Sequence, residues 1–111
     1  MAELFDPNVK KRNKAAFQTL LYAFVWDVMH PGEEAIYPCI YALKEIFKQE
    51  TSRLTIRENG NREVNYPELK DQFKLFLVGL LEEIFNPDLP FTQTTVEEHC
   101  QYCTFISICG K

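Results

Sequence analysis

Two apolar rows at helical spacing, each stopped by a proline, set what this chain can fold into. In the first, Phe17, Leu20, Leu21, Phe24, Val25 and Val28 recur so as to share one side of an α-helix. His30-Pro31-Gly32 stops it, which predicts a helix over 13–29. In the second, Leu69, Phe73, Phe76, Leu77, Leu80, Leu81 and Ile84 form the row, while Lys70, Asp71, Lys74, Glu82 and Glu83 take the rest of the wheel. Asn65 or Tyr66-Pro67 opens this helix and Asn86-Pro87 ends it. Gly79 weakens it by about 1 kcal/mol relative to Ala, and its missing side chain suggests a close helix contact. Asp6-Pro7 carries a further helix-start signature, with Asp as cap and Pro in the first turn.

The stretch between the two rows has a different rhythm. Ala35 to Leu43 is β-branched and aromatic, which predicts a strand. Pro38 within it has no N–H to give, so it belongs at an edge or a bulge. Leu43 to Phe47 drifts into a turn or a short irregular piece. Arg53 to Arg57 alternates polar and apolar, Glu58-Asn59-Gly60-Asn61 is a turn signal, and Arg62-Glu63-Val64 supplies the return strand. Past the second helix, Pro87, Leu89, Pro90 and Phe91 suggest an extended segment lying on the core. The expected fold class is α+β: two long helices with a small antiparallel sheet of two to three strands. The chain has 111 residues, room for one domain spanning 1–111. Its 9 Phe and 5 Tyr are enough to build a core.

Charge narrows the function. The formal net charge is −4, and a domain that grips DNA by its phosphates is basic overall. The run Lys10-Lys11-Arg12-Asn13-Lys14 is a local exception. It reads either as a solvated helix start or as a phosphate or partner contact made by Lys10, Lys11, Arg12 and Lys14. The first residues, Met1 to Asp6, lack the basic and apolar regions of a secretion signal. No apolar run reaches the roughly 18 residues of a membrane span. A cytoplasmic protein with no membrane partner is therefore expected. In that compartment clustered cysteines favour metal or redox chemistry over structural disulfides.

The cysteines crowd one end. His99-Cys100-Gln101-Tyr102-Cys103-Thr104-Phe105-Ile106-Ser107-Ile108-Cys109-Gly110 holds three of the four, spaced C-x2-C-x5-C. Thiolates are soft ligands suited to zinc and iron–sulfur clusters. Three readings stay open: reduced thiols beside an apolar terminus, ligands of one metal centre, or a redox pair at Cys100 and Cys103. Cys39 is a fourth ligand only if the tail folds over it, and otherwise belongs to the core. A zinc site using His99 would need two adjacent residues to ligate one ion.

The order of features resembles a known family. Gln18-Thr19-Leu20-Leu21-Tyr22 is a QxxxY element on a helix; a strand, a long helix, Asn86-Pro87-Asp88-Leu89-Pro90-Phe91 and the cysteine triplet follow. Over about residues 10–111 this is similar to the C-terminal part of RecB-like nucleases of the PD-(D/E)XK superfamily. The nearest likeness is to AddB-type helicase–nuclease subunits and CRISPR adaptation nucleases, in which four cysteines hold an iron–sulfur cluster. The resemblance implies a restriction-endonuclease-like fold. It implies that Gln18 and Tyr22 sit beside an active site and help position DNA or the catalytic groups. It also implies that Cys100, Cys103 and Cys109 are ligands of a 4Fe-4S cluster, with Tyr102 and Phe105 packed around it. DNA and a helicase subunit are the implied partners, and Mg2+ or Mn2+ the implied cleavage metal.

The departures matter as much. No PD or ExK motif precedes Gln18, and the fourth cluster cysteine, upstream in these families, has no counterpart. Thr104 stands where a proline is common. Glu33-Glu34, Glu82-Glu83 and Glu97-Glu98 are adjacent pairs of the kind solvated faces carry, not a metal-holding set. The resemblance therefore implies the C-terminal piece of a helicase-associated DNA exonuclease domain of repair and recombination, inactive alone. A cut face near residues 36–42 and self-association through it are expected. Two rivals remain: a non-enzymatic protein- or nucleic-acid-binding module with a structural zinc on Cys100, Cys103, Cys109 and Cys39, and a small helical interaction protein without metal.

Overall fold

Asn13 starts the first helix by accepting the Ala16 amide on Oδ1 at 3.0 Å, which satisfies one of the orphan donors of a helix N-terminus. The structure is a computed structural model and describes residues 1–41, 53–55, 57–58 and 62–110. The first helix, α1, spans Lys14–Met29 and closes where the His30 amide donates to Trp26 O at 2.9 Å. The second, α2, spans Tyr66–Phe85, with Asn65 as cap, Pro67 in its first turn and Asn86 at its end. Both helices lie where their sequence punctuation puts them. No helix among the described residues is long and apolar enough to cross a membrane.

Among the described residues, four short strands lie between them. Strand β1 (Cys39–Tyr41) pairs antiparallel with β2 (Arg53–Thr55), in the register Cys39 to Thr55 and Tyr41 to Arg53. Strand β3 (Arg57–Glu58) pairs antiparallel with β4 (Arg62–Glu63). The expected sheet is thus two separate two-stranded ladders. The stretch Leu43 to Phe47, Ile56 and the turn Asn59-Gly60-Asn61 lie outside the described residues.

The strand expected from Ala35 begins only at Cys39, because the preceding backbone bonds elsewhere. Ile36 N donates to Asn65 Oδ1 at 2.9 Å, Tyr66 N donates to Ile36 O at 2.8 Å, and Asn65 Nδ2 donates to Glu34 O at 3.3 Å. The chain ahead of β1 is therefore strapped to the start of α2.

The core centres on Leu20, Ala23, Val64, Tyr66 and Phe73. Helix α1 presents Ala16, Thr19, Leu20 and Ala23 to it; Thr19 is accommodated because Oγ1 donates back to Ala15 O at 2.7 Å. This face is rotated from the expected row, and Val25 and Val28 are exposed at 47% and 63%. On α2 burial is confined to Tyr66 and Phe73, with Leu69, Phe76, Leu77 and Leu80 half-buried, and every residue from Leu81 to Pro90 is exposed. The second half of that apolar row thus lies open. Among the described residues Gly79 makes no close contact either: a Cβ there would meet nothing within 4 Å.

The N-terminus also departs from expectation. Asp6 starts no helix; Oδ1 accepts the Asn8 amide at 2.8 Å and closes a local turn instead. A 3-10 turn at Ala2–Leu4 precedes it and delivers Phe5 to the core. The Phe5 ring stands 5.4 Å from Phe17, 5.8 Å from Phe73 and 5.3 Å from Phe76, edge-on to the first two and stacked on the third. Beyond α2, Leu89 and Phe91 do not lie on the core but are exposed, Phe91 fully. Asn86 Oδ1, accepting from Asp88 N at 2.9 Å, turns the chain outward there.

Candidate nucleic-acid face and cysteine tail

Helix α1 buries one side and turns the other to solvent. On the solvent side, Gln18 Nε2 donates to Tyr22 Oη at 2.8 Å. Tyr22 is 63% exposed, so it is not the half-buried core aromatic that a plain amphipathic helix would place there. The two residues are one turn apart and share a face, and their bond fixes a carboxamide and a phenol side by side, facing water.

This pair belongs to a longer ridge that sequence reasoning missed. Lys14, Gln18, Tyr22 and Trp26 follow one another at intervals of four, with His30 next beyond the helix end, and all five are exposed. Such a row runs along the helix as one of its natural ridges. Trp26 and His30 stack with ring centroids 3.9 Å apart and planes 20° off parallel. His30 Nδ1 donates to Trp26 O at 3.2 Å, which sets the proton on Nδ1. The signal was present in the four-residue spacing of polar and aromatic residues opposite the core face.

At the N-terminal end of the ridge, Lys10, Lys11, Arg12, Lys14, Glu98 and His99 line a shallow cleft of about 450 Å³. Lys10 Nζ donates to Glu98 Oε1 at 2.6 Å. That bond, followed by one from a backbone amide, holds the Glu98 carboxyl below the usual carboxylate range. The same bond holds the Lys10 ammonium above its ordinary value. His99 Nε2 donates to Val9 O at 3.0 Å, while Nδ1 lies 3.4 Å from Thr94 Oγ1. Of the three adjacent carboxylate pairs, Glu97-Glu98 is therefore not simply solvated: Glu98 ties the tail to the basic run.

The cysteine tail follows directly. After the 3-10 turn Glu97–His99 the chain runs in successive turns, with Cys103 N donating to Cys100 O at 3.0 Å and Cys109 N to Phe105 O at 3.3 Å. Gln93 Nε2 donates to Cys109 O at 3.3 Å. All four cysteines are free thiols; Cys39 and Cys100 are half-buried, Cys103 and Cys109 exposed. Thiols are the donor type a soft metal or cluster requires. As placed, however, no three His, Cys, Asp or Glu side chains among the described residues come together to hold a metal ion. The tail presents the donors and not a formed site. Tyr102 and Phe105 are exposed at 89% and 63%.

Comparison with known proteins decides the family. The sequence model of the PD-(D/E)XK nuclease superfamily matches residues 6–110. The chain belongs to the PD-(D/E)XK nuclease superfamily. No curated protein and no solved structure matches it. Within this superfamily member, two helices and short antiparallel ladders are the α+β portion of the nuclease fold that the chain carries. The superfamily match spans the basic run, the Gln18–Tyr22 pair and the three tail cysteines together.

Proposed function

We propose that this chain is the DNA-positioning C-terminal portion of a RecB-like exonuclease domain, working beside a helicase in DNA repair or recombination. The observation that carries the reading is the superfamily match over 6–110, which includes the QxxxY pair. The solvent-facing bond between Gln18 and Tyr22 supports it, since a preset donor–acceptor pair is what a substrate-positioning element needs. The catalytic carboxylates and the lysine come from elsewhere in the assembled nuclease and would hold a Mg2+ or Mn2+ ion, whose chemistry there would be to lower the pKa of a bound water. Gln18 and Tyr22 hold the strand or orient those groups.

Cys100, Cys103 and Cys109 are, in this reading, three ligands of a 4Fe-4S cluster completed by a cysteine of the assembled nuclease, and Cys39 remains a strand residue. Bound there, such a cluster would fasten the C-terminus to the rest of the domain, with no electron-transfer duty required. Self-association would use the edge of β1 that is unpaired among the described residues. The test is anaerobic purification with iron, acid-labile sulfide and zinc measured on one sample. Iron and sulfide in near-equal amounts support the cluster; one zinc per chain, lost in Cys39→Ser, would replace it with the structural-zinc module. Cleavage of DNA by the pure chain, blocked by a chelator, would refute the assignment of the catalytic groups to another segment.

A further inference from the structure

We infer that the exposed ridge of α1 is a track for single-stranded nucleic acid, with phosphates in the Lys10–Lys14 cleft and an unpaired base on the Trp26–His30 stack. The inference deepens the nuclease reading by naming the strand, and rests on that reading only in taking nucleic acid as the polyanion. Three independent features converge on it.

The first is charge. Four cations fall within five consecutive residues of a chain whose net charge is −4, and they line one cleft. The cleft already holds an anion: the Glu98 carboxylate sits on Lys10 as a phosphate oxygen would. Glu98 is thus an internal competitor that a phosphate backbone displaces.

The second is the aromatic pair. Trp26 is 51% exposed although it is the single Trp of the chain and large enough to anchor a core. Instead it stacks on His30, and the imidazole is pinned by its bond to the Trp26 carbonyl. The result is a rigid, wet π-surface, and base–aromatic stacking tolerates any sequence. A duplex keeps its bases in its own stack and has no face to offer, so the platform selects an unpaired strand.

The third is alignment. Lys14 to Trp26 spans about 18 Å at the rise of an α-helix, with the Gln18–Tyr22 pair between, so cations and aromatics lie along one line. Basic residues interleaved with aromatics along a track are the general design of single-strand binders.

The experiment uses Trp26 as its own reporter. The full chain is titrated at low salt with a short oligothymidylate and with an abasic strand of equal length, reading tryptophan emission. The expected result is saturable quenching by oligothymidylate and binding without quenching by the abasic strand. By anisotropy of a labelled oligothymidylate, Trp26→Ala and His30→Ala weaken binding by about tenfold, a typical stacking loss. Lys11→Ala lowers the salt slope by about one, and Glu98→Gln tightens binding by about two- to fivefold, the range of an exposed ion pair. Oligothymidylate that binds with unchanged tryptophan emission, or equal affinity of Trp26→Ala and the parent chain, would overturn the platform. Absence of any binding at low salt would overturn the whole track, while the iron and sulfide measurement still judges the nuclease reading separately.

Discussion

Ile36 and Asn65 are joined by a 2.9 Å hydrogen bond from the Ile36 amide to the Asn65 carboxamide oxygen, 29 residues away in sequence. Asn65 is the cap of α2, yet its side chain bonds no amide of its own helix. The capping task passes to Ile36 O, which accepts the first amide of α2. Asn65→Ala removes the acceptor for Ile36 N, in a partly shielded bond, and the donor to Glu34 O, in an exposed one. We expect a loss of about 1–2 kcal/mol, measured by urea denaturation, with Asn65→Asp losing less because it keeps the acceptor.

Tyr66 is fully buried and its hydroxyl has no hydrogen-bond partner among the described residues. Replacing it by Phe keeps the ring against Phe73 and removes an unsatisfied polar atom, so Tyr66→Phe is expected to be neutral or stabilising by about 1 kcal/mol. A melting comparison at neutral pH checks the sign.

The same hydroxyl gives a pH dependence. Burial first, then the nearby charges of Asp27 and Asp71, push its pKa from 10.0 up to about 12. The folded state therefore keeps a proton that the unfolded state sheds from about pH 10. The stabilisation is fully present below pH 10 and is lost as pH rises toward 12. The melting temperature of the parent chain should fall more steeply than that of Tyr66→Phe in this window; parallel curves would refute the assignment.

Gly79 stands in α2 with open space where a Cβ would go. Gly79→Ala should raise stability by about 1 kcal/mol through helix propensity alone. A loss of stability would show that the glycine is needed for a contact absent from the described residues.

Phe5 touches three aromatic rings from outside any regular helix longer than one turn. Phe5→Ala should cost roughly 2–3 kcal/mol, below the ~3–5 kcal/mol of a fully buried Phe because Phe5 is half-buried. Phe91→Ala, at a fully exposed ring, should change stability by less than about 0.5 kcal/mol; thermal denaturation of the two variants side by side tests the contrast.

The helix limits were legible because their causes are local: Asn13, Pro31, Pro67 and Asn86 act on the turn in which they stand. The buried face was less so. Period alone could not say that α1 turns Ala16 and Ala23 inward and leaves Val25 and Val28 wet, since that depends on which residues of α2 come close. Ala35 to Pro38 read as strand from composition, but a distant carboxamide took the Ile36 amide. At the site, Gln18 and Tyr22 were visible as a motif, whereas Trp26–His30 and Lys10–Glu98 emerge only when the ridge and the tail are seen in space. Spacing names Cys100, Cys103 and Cys109 as donors; whether they meet is a property of the turns between them.

The Phe5 ring has a kinetic consequence. It closes the aromatic cluster from a single turn held by the Phe5 and Asp6 amides bonding to Ala2 O. Releasing that turn exposes Phe17, Phe73 and Phe76 while both helices stay wound. The interior therefore has a door of its own, and the Phe5 and Asp6 amides should exchange with solvent through this partial opening at a lower free energy than global unfolding requires.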